Sequence, residues 1–347
     1  MVSARLYTHL SDGSAVTCYT IANKKGEYTQ LLDYGASIYS VHVRDGSGIL
    51  GDVVLGCPDG QQLEHFFHSG VTIGRCANRI KNGSFSIEGK KYQLLERPGI
   101  GFIHGGRDNY AKKVFHGEIV SDSAVRFSLT DKDTVGFGCD AYVSVTYRFT
   151  DSSELELSYD MYADGATILN PTNHVFFNLA GKGSIQNHTL RFHTNLVAKR
   201  DETGIPEGGS QSVLGTPADF TEFRTIAKAI KADNGYFRDG PFYDEFYMLS
   251  QKRPQAAALA AEVFCDETGR GLRMYTDMPG FVFYTDPGQR KETGKNGMEY
   301  DENCGFCLES GFIPNAVNCP SYASPVFHPG EHLTSKTIYA FFAGESC

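Results

Sequence analysis

Apolar and polar side chains alternate with a period of two along three successive stretches in the middle of the chain. The apolar positions are Val125, Phe127 and Leu129 in the first stretch, and the odd-numbered positions of 143–149 and 155–161 in the other two. Such alternation is typical of strands with one buried face. Because turns rich in Gly, Asp and Ser separate the stretches, they are predicted to form an antiparallel meander.

Further strand signals lie on both sides of the meander. Residues 85–94 are predicted to form a hairpin that turns at 88–90. Strands are also predicted at 38–43 and around Phe281 and Phe283. The chain is therefore predicted to be all-β.

Helical signals are few. Residues 225–232 are predicted to form two helical turns, and residues 61–67 another short helix. The Ala-rich segment 255–262 has helical propensity, but it lies among strand patterns and is predicted to be a strand. A length of 347 residues alone favours about two domains. Since no linker, repeat or low-complexity tract divides the chain, residues 1–347 are predicted to form one domain.

Composition narrows the classes of partner. The chain has 32 Lys and Arg against 41 Asp and Glu, a formal net charge of −9, and an acidic surface disfavours nucleic acid and anionic membranes. No apolar run reaches the length of about 18 residues that a bilayer span needs, and the N-terminal segment lacks the apolar run of a secretory signal. Nine cysteines in such a chain are expected to be reduced thiols. These features predict a cytoplasmic protein and are compatible with a small neutral ligand. A monomer or homodimer is expected.

Four short segments are richer in polar residues and glycine than the core of a strand requires. They are residues 74–80, 103–107, 170–179 and 306–312. Each of them holds at least one side chain that can exchange protons or donate several hydrogen bonds, and each is therefore a candidate part of a binding or catalytic site.

Taken one at a time, these segments also fit ordinary structural roles. His104 fits a turn histidine bonded to backbone, and His174 fits either a ligand at a strand mouth or a satisfied core histidine. Glu309 has buried neighbours and needs a partner, which a salt bridge would supply. Asn78 and Arg79 fit a surface turn or a buried ion pair.

The four segments taken in order resemble the aldose 1-epimerase (galactose mutarotase) family. The family order of Gly-Arg-x-Ala-Asn-Arg-Ile, His-Gly-Gly, Asn-x-Thr-Asn-His and Leu-Glu runs from Gly74 to Glu309. Four further segments also match the family pattern: 201–206 and 215–220 in its central loop, 243–246 at its aspartate turn, and 314–318 in its final segment. The resemblance covers nearly the whole chain.

The resemblance implies a single large antiparallel β-sandwich with a few short helices and a sugar cleft on its concave sheet. It implies an enzyme that interconverts the α and β anomers of a free aldohexose, galactose or glucose, without metal or cofactor. His174 matches the general acid that protonates the ring oxygen, and Glu309 the general base that removes the anomeric hydroxyl proton. The residues that match sugar-binding positions are Asn78, Arg79, His104 and Asp244.

The chemistry suits these residue types. A glutamate is ionised at neutral pH, and a neighbouring carboxylate can keep a histidine protonated as an acid. Two departures from the family pattern leave the preferred hexose open: Met278 and Gly311 stand where glutamines are common, and the chain has no Trp. A thioether is a weak acceptor and no donor, so Met278 is predicted to be a substrate contact that weakens galactose binding.

A metal or redox function would have to use Cys304-Gly-Phe-Cys307. That spacing occurs in zinc sites and thioredoxin-like motifs. No second pair with comparable spacing accompanies it, only Cys319 and His328 further along the chain. The sequence therefore predicts neither a metal nor a cofactor.

Three alternatives remain within sugar chemistry. A glycosidase needs two carboxylates facing one bond, whereas the family pattern matches Glu309 with His174. A catalytically weak or inactive sugar-binding protein of the same fold would not need that acid–base pair. A phosphosugar epimerase would need a cationic phosphate clamp, for which residues 112–113 are a thin candidate.

Overall fold

Antiparallel strands make up most of the regular structure. A computed structural model describes residues 1–97, 99–233, 235–237, 240–250, 256–288 and 291–344. The strands in the first half are β1 Val2–His9, β2 Ala15–Ala22, β3 Tyr28–Leu32, β4 Ser37–Arg44, β5 Leu50–Asp52, β6 Thr72–Ile73, β7 Ser84–Ile87, β8 Lys90–Gln93, β9 His116–Ser121, β10 Ala124–Asp131, β11 Ala141–Phe149, β12 Glu154–Ala163, β13 Thr167–Ile168 and β14 Thr172–Asn173. Those in the second half are β15 Thr189–Phe192, β16 Leu196–Arg200, β17 Pro206–Ser212, β18 Arg224–Thr225, β19 Asp244–Met248, β20 Ala258–Cys265, β21 Arg270–Thr276, β22 Gly280–Thr285, β23 Glu292–Thr293, β24 Glu299–Tyr300, β25 Phe306–Gly311, β26 Val326–Phe327 and β27 Leu333–Ala343.

Three large sheets organise these strands. A nine-stranded sheet has the order β18-β15-β20-β21-β27-β12-β11-β10-β9, and two five-stranded sheets have the orders β1-β2-β3-β4-β5 and β17-β16-β19-β22-β25. The predicted meander is β10-β11-β12, with Val125 opposite Tyr147 and Val145 opposite Tyr159. The meander prediction is confirmed.

The main core lies between the nine-stranded sheet and the five-stranded sheet β17-β16-β19-β22-β25. Phe192 of the first contacts Phe283 of the second with ring centroids 5.2 Å apart, and both side chains are essentially inaccessible to solvent. Phe177 joins the same core against Tyr339 of β27, at 4.9 Å. Burial of large aromatic faces from two sheets is what makes this packing stable, and the predicted β-sandwich is confirmed. That residues 1–347 form one domain stays a prediction.

The other predicted strands are also found. The hairpin is β7-β8, and its two turn residues, Glu88 and Gly89, both have positive φ (50° and 80°), so Lys90 already belongs to β8. Residues 38–43 lie within β4, and both Phe281 and Phe283 lie within β22. Ala258–Cys265 is a strand, which confirms the prediction for residues 258–262; residues 256–257 precede the strand, and residue 255 lies outside the described residues.

One of the two predicted helices exists. The single α-helix in the described part of the chain is α1, Ile226–Lys231, and the hydroxyl of Thr225 caps it by accepting the amide of Lys228 at 3.2 Å. Four single turns of 3-10 helix accompany it, at Lys81–Gly83, Tyr110–Lys112, Lys295–Gly297 and Ala316–Asn318. None of the described helices has the length and apolar character to cross a bilayer.

The prediction of a helix at 61–67 is wrong. These residues form turns. The carboxylate of Asp59 accepts the amides of Gln61 and Gln62 at 2.9 and 3.3 Å, as an N-cap would. No helix follows, and the amide of Phe67, which a helix would bond to the carbonyl of Leu63, donates to the carboxylate of Glu292 at 2.8 Å.

Candidate active site

A cleft of about 730 Å³ brings the predicted site residues together. Six of the seven candidates line it: Asn78, Arg79, His104, His174, Asp244 and Glu309. Because they come from segments as far apart as the first and last quarters of the chain, only the tertiary structure can assemble them. A concave pocket with several convergent polar groups is where a small ligand is expected to bind.

One face of the β19-β22-β25 sheet forms the floor of the cleft. Asp244 is opposite Tyr284, and Glu309 is opposite Val282. Since side chains alternate between the two faces of a strand, Asp244, Tyr284 and Glu309 share one face, while Phe283 points into the main core. The register of these three strands therefore decides which polar groups reach the cleft.

His174 lies directly above this floor, just after β14. Its amide donates to the carbonyl of Val71 at 2.9 Å, which fixes the backbone. Its Nε2 is 3.5 Å from Oε1 of Glu309, and its side chain is 13% exposed against 5% for the glutamate. Nδ1 lies 3.4 Å from Sγ of Cys307. The two residues predicted to be catalytic thus face each other in the wall of the cleft.

His104 is held by the backbone of Asn78. The Asn78 amide donates to Nδ1 of His104 at 3.2 Å, and the His104 amide donates to the Asn78 carbonyl at 3.0 Å. Since Nδ1 accepts, the neutral ring carries its proton on Nε2. Burial lowers the pKa of His104 well below its usual value, with His174 nearby adding to the effect. The ring is both a turn histidine and a neutral donor in the cleft.

Arg79 and Asp244 form a partly exposed pair. Nη1 of the arginine is 3.6 Å from Oδ2 of the aspartate, and the side chains are 39% and 35% exposed. A pair with this exposure adds little to stability. Its position in the wall of the cleft leaves spare donors and acceptors for a polyhydroxylated ligand.

Burial decides the protonation of the catalytic candidates. It raises the pKa of Glu309 well above its usual value, with Asp244 adding to the effect, and it lowers the pKa of His174 to about 4. The expectation of an ionised glutamate beside a protonated histidine is therefore corrected for the unliganded cleft, because desolvation disfavours both charges. Burial therefore favours the neutral form of each group, a protonated carboxyl beside a neutral imidazole.

The Cys304-Gly-Phe-Cys307 motif is divided between two histidines. Cys307 contacts His174, whereas Sγ of Cys304 is 3.7 Å from Nε2 of His68. The cysteines among the described residues are free thiols. Of the more distant candidates, Cys319 contacts a backbone carbonyl at 3.6 Å, and His328 pairs with a glutamate at 3.8 Å. The motif does not form one metal or redox centre.

The structure does not bring Met278 to the cleft. Its side chain is 2% exposed and belongs to the main core, and it is not among the residues that line the cavity. The residue sits in a bend before β22, where its amide donates to Thr276. Because the bend interrupts the alternation of the strand, the predicted substrate contact at Met278 is corrected to a core position.

Gly311 is explained by packing against Asn170. A Cβ at Gly311 would lie 2.9 Å from Oδ1 of Asn170, and that oxygen accepts the amide of Phe312 at 2.9 Å. A larger side chain would displace this buried amide group. The absence of a side chain at Gly311 therefore leaves room for the amide group of Asn170, which holds the backbone of Phe312.

Sequence reasoning missed other residues of the cleft. Tyr284, Asp286 and Phe67 line it, as do the cationic side chains of Arg97 and Arg107. No local pattern could have identified Tyr284, which alternates with core residues in an apolar strand. Its place in the cleft follows only from its register against Asp244.

Comparison with known proteins shows similarity over most of the chain. A family model described as aldose 1-epimerase matches residues 17–340. The chain is 32% identical over 338 residues to an aldose 1-epimerase of Escherichia coli (strain K12), covering 96% of this chain and 97% of the relative. It is 34% identical over 318 residues to a galactose mutarotase of Sus scrofa, covering 90% of each.

Solved structures give the same result for the fold. A GalM/aldose epimerase homologue from C. elegans superposes with a TM-score of 0.84 at 26% identity, covering 93% of this chain and 98% of the other. A galactose 1-epimerase from Lactobacillus acidophilus superposes with a TM-score of 0.82 at 22% identity, covering 99% of both. The likeness extends over nearly the full length of every chain compared.

Proposed function

The chain is a member of the aldose 1-epimerase family, and we propose that it interconverts the two anomers of a free aldohexose such as galactose or glucose. The observation that carries the proposal is the pairing of His174 Nε2 with Glu309 Oε1, 3.5 Å apart in the cleft wall. Opening a hexose ring requires one proton off the anomeric hydroxyl and one onto the ring oxygen. A pair of groups that shares one proton supplies both a base and an acid.

The reaction begins from the charge-separated form of the pair. Transfer of the shared proton leaves Glu309 ionised and His174 protonated. Glu309 then takes the proton of the anomeric hydroxyl, the bond between the anomeric carbon and the ring oxygen breaks, and His174 protonates that oxygen. The product is an open-chain aldehyde, with His174 neutral and Glu309 protonated.

Rotation of the aldehyde about its bond to the second carbon presents its other face. The former ring oxygen attacks the carbonyl carbon and loses its proton to His174. Glu309 returns the proton that it had taken to the carbonyl oxygen. The ring closes as the opposite anomer, and the pair is restored. Only protons and one carbon–oxygen bond change, so the proposed mechanism uses no cofactor.

The remaining residues of the cleft position the sugar. Asn78, Arg79, His104 and Asp244 offer donors and acceptors to its hydroxyls, and the ring of His104 lies near that of His174, with centroids 5.4 Å apart. That proximity suits a hydrogen bond near the ring oxygen. A cytoplasmic location and a monomeric or homodimeric state remain predictions.

A second substrate class has one observation in its favour. Three cationic side chains line the cleft, those of Arg97, Arg107 and Lys112. A phosphosugar would therefore meet two arginines in addition to one of the two lysines, 112 and 113, that the sequence offered as a phosphate clamp. Lys113 instead pairs with Asp108 at 2.8 Å. Guanidinium groups bind phosphate well, so a hexose phosphate is the competing substrate.

Mutarotation of freshly dissolved sugars tests the proposal. The rates for α-galactose, α-glucose and glucose 6-phosphate are followed by polarimetry or NMR, with uncatalysed mutarotation as the baseline. We expect the enzyme to accelerate the free hexoses. Acceleration of the phosphate alone would transfer the proposal to phosphosugars, and no acceleration of any of the three would refute it.

A further inference from the structure

A second cluster of ionisable side chains lies behind the wall of the sugar cleft. It consists of His68, Asp286, Glu292 and Cys304, called the His68 cluster below. The side chains of His68 and Asp286 are 0% and 1% exposed, and Cys304 is buried. The proposed epimerase reaction uses none of these groups, although Asp286 also lines the cleft.

The imidazole of His68 is clamped between two carboxylates. Its Nδ1 is 2.6 Å from Oε2 of Glu292, and its Nε2 contacts Oδ2 of Asp286 directly. Sγ of Cys304 lies 3.7 Å from the same Nε2 and 3.6 Å from the same Oδ2. One nitrogen, one oxygen and one sulfur therefore converge on one point.

Glu292 is itself rigidly held. Its carboxylate accepts the backbone amides of Phe67 and His68 at 2.8 and 3.2 Å. The rings of Phe176 and Tyr300 pack around His68 at 5.0 and 5.3 Å. A histidine whose second nitrogen is fixed by a carboxylate is the usual arrangement of a metal-bound imidazole, because the carboxylate sets the tautomer and the direction of the ring.

We propose that the His68 cluster is a binding site for a zinc-like divalent cation, with His68 Nε2, Asp286 Oδ2 and Cys304 Sγ as ligands. The three ligand atoms lie within 4.8 Å of one another. Zinc prefers nitrogen, oxygen and thiolate ligands at about 2.0–2.3 Å, so that two ligands of one tetrahedral ion are about 3.3–3.8 Å apart. Both distances from Cys304 lie in that range. The imidazole and the Asp286 carboxylate must part to admit the ion.

A divalent cation at this site takes the place of protons. Histidine and cysteine bind a metal through deprotonated atoms, so binding releases protons from them. Positive charge therefore enters the buried site as positive charge leaves it.

The ion would join the loop around His68 to two segments near residue 300 that lie 18 positions apart. His68 lies in the loop before β6, Asp286 directly follows β22, and Cys304 precedes β25. Strands β22 and β25 carry Tyr284 and Glu309. The proposed role is therefore to stabilise the wall of the cleft rather than to take part in proton transfer.

Cobalt binding to the EDTA-treated full-length protein tests the site. A cobalt ion bound by thiolate gives a charge-transfer absorption band that oxygen and nitrogen ligands alone do not. We expect about one equivalent of cobalt to produce this band, zinc to abolish it by displacement, and either ion to raise Tm by a few degrees. The variants Cys304→Ser and Cys304→Ala should lose the band.

Two further cysteine variants serve as controls. Cys265→Ser changes a buried thiol of β20 and should keep the band, as should Cys307→Ser, which changes the thiol beside His174. A band lost in Cys307→Ser and kept in Cys304→Ser would place the ion at the catalytic pair and overturn the proposal. Wild-type protein that binds no cobalt or zinc would also overturn it. Circular dichroism of each variant verifies that loss of the band is not loss of the fold.

Discussion

Replacing Glu309 by glutamine separates the chemical role of the carboxyl group from its place in the structure. Glutamine keeps the volume and one oxygen facing His174, so the buried packing is retained. It has no ionisable group and cannot accept the anomeric hydroxyl proton. We expect kcat for mutarotation to fall by about 10²-fold or more, roughly 3 kcal/mol of transition-state stabilisation.

The neighbouring carboxylates do not replace the lost base. Asp244 faces Arg79 at 3.6 Å, and Asp286 is engaged by His68. His174, which burial keeps neutral, is the one group positioned to act as a base, and it would then be missing as the acid. The residual rate is therefore expected to come from binding and from this single group.

The assay is polarimetric mutarotation of galactose, corrected for the spontaneous rate. The matched control is Glu262→Gln in β20, a glutamate that pairs with Arg273 at 3.0 Å in the nine-stranded sheet, and it should retain the wild-type kcat. If Glu309→Gln also keeps wild-type kcat, Glu309 is not the base.

A second measurement compares the pH dependence of Tm for the wild type and Glu309→Gln. The folded-state pKa of Glu309 is raised, so its stabilising contribution is full below its unfolded pKa and is lost as pH rises through the folded value. Wild-type Tm should therefore fall more steeply than that of Glu309→Gln as pH rises above the ordinary glutamate pKa of about 4.3. Equal slopes would contradict the burial argument for this group.

Three further predictions concern the other groups. His174→Asn should lower kcat by about 10²-fold or more. Because the folded pKa of His174 is about 4 against an ordinary 6.5, the wild type should also lose more stability than the variant as pH falls from 6.5 toward 4. Equal losses of stability would contradict the burial argument for His174. Met278→Gln should lower stability by about 1–3 kcal/mol, because it buries an unpartnered amide, while KM for galactose stays unchanged; a lower KM at wild-type stability would return Met278 to the cleft. EDTA treatment should leave kcat of the folded protein unchanged, because the proposed acid–base pair needs no Lewis acid, and loss of kcat that zinc restores would refute this.

Local patterns predicted the strands well because each strand of the meander has one face in the core. Val145 and Tyr159, for example, are placed by alternation alone. The helix predicted at 61–67 failed for a non-local reason, since the carboxylate that accepts the Phe67 amide belongs to Glu292, 225 positions away. Propensity within a short window contains no information about such a partner.

The site was predictable from the order of the family motifs, but not from spacing or composition. Those motifs identified His174 and Glu309, and the structure supplies their separation and burial. Their protonation was predicted incorrectly, because reference pKa values describe groups in water and the cleft wall removes that water. Met278 was misplaced because a motif position does not specify on which side of a bend the side chain lies.

Strand register explains why two chemically similar cysteines have different neighbours. Cys307 is within β25 and is paired with Tyr284, two positions before Glu309, so it shares the cleft face with the glutamate and reaches His174. Cys304 precedes the strand, where alternation does not yet apply, and its thiol turns toward His68. A three-residue separation at the start of a strand thus sends one thiol to the proposed acid–base pair and the other to the proposed cation site. The two histidines pack on the same ring, Phe176, each at 5.0 Å, so one buried apolar side chain separates the proposed acid–base pair from the proposed cation site.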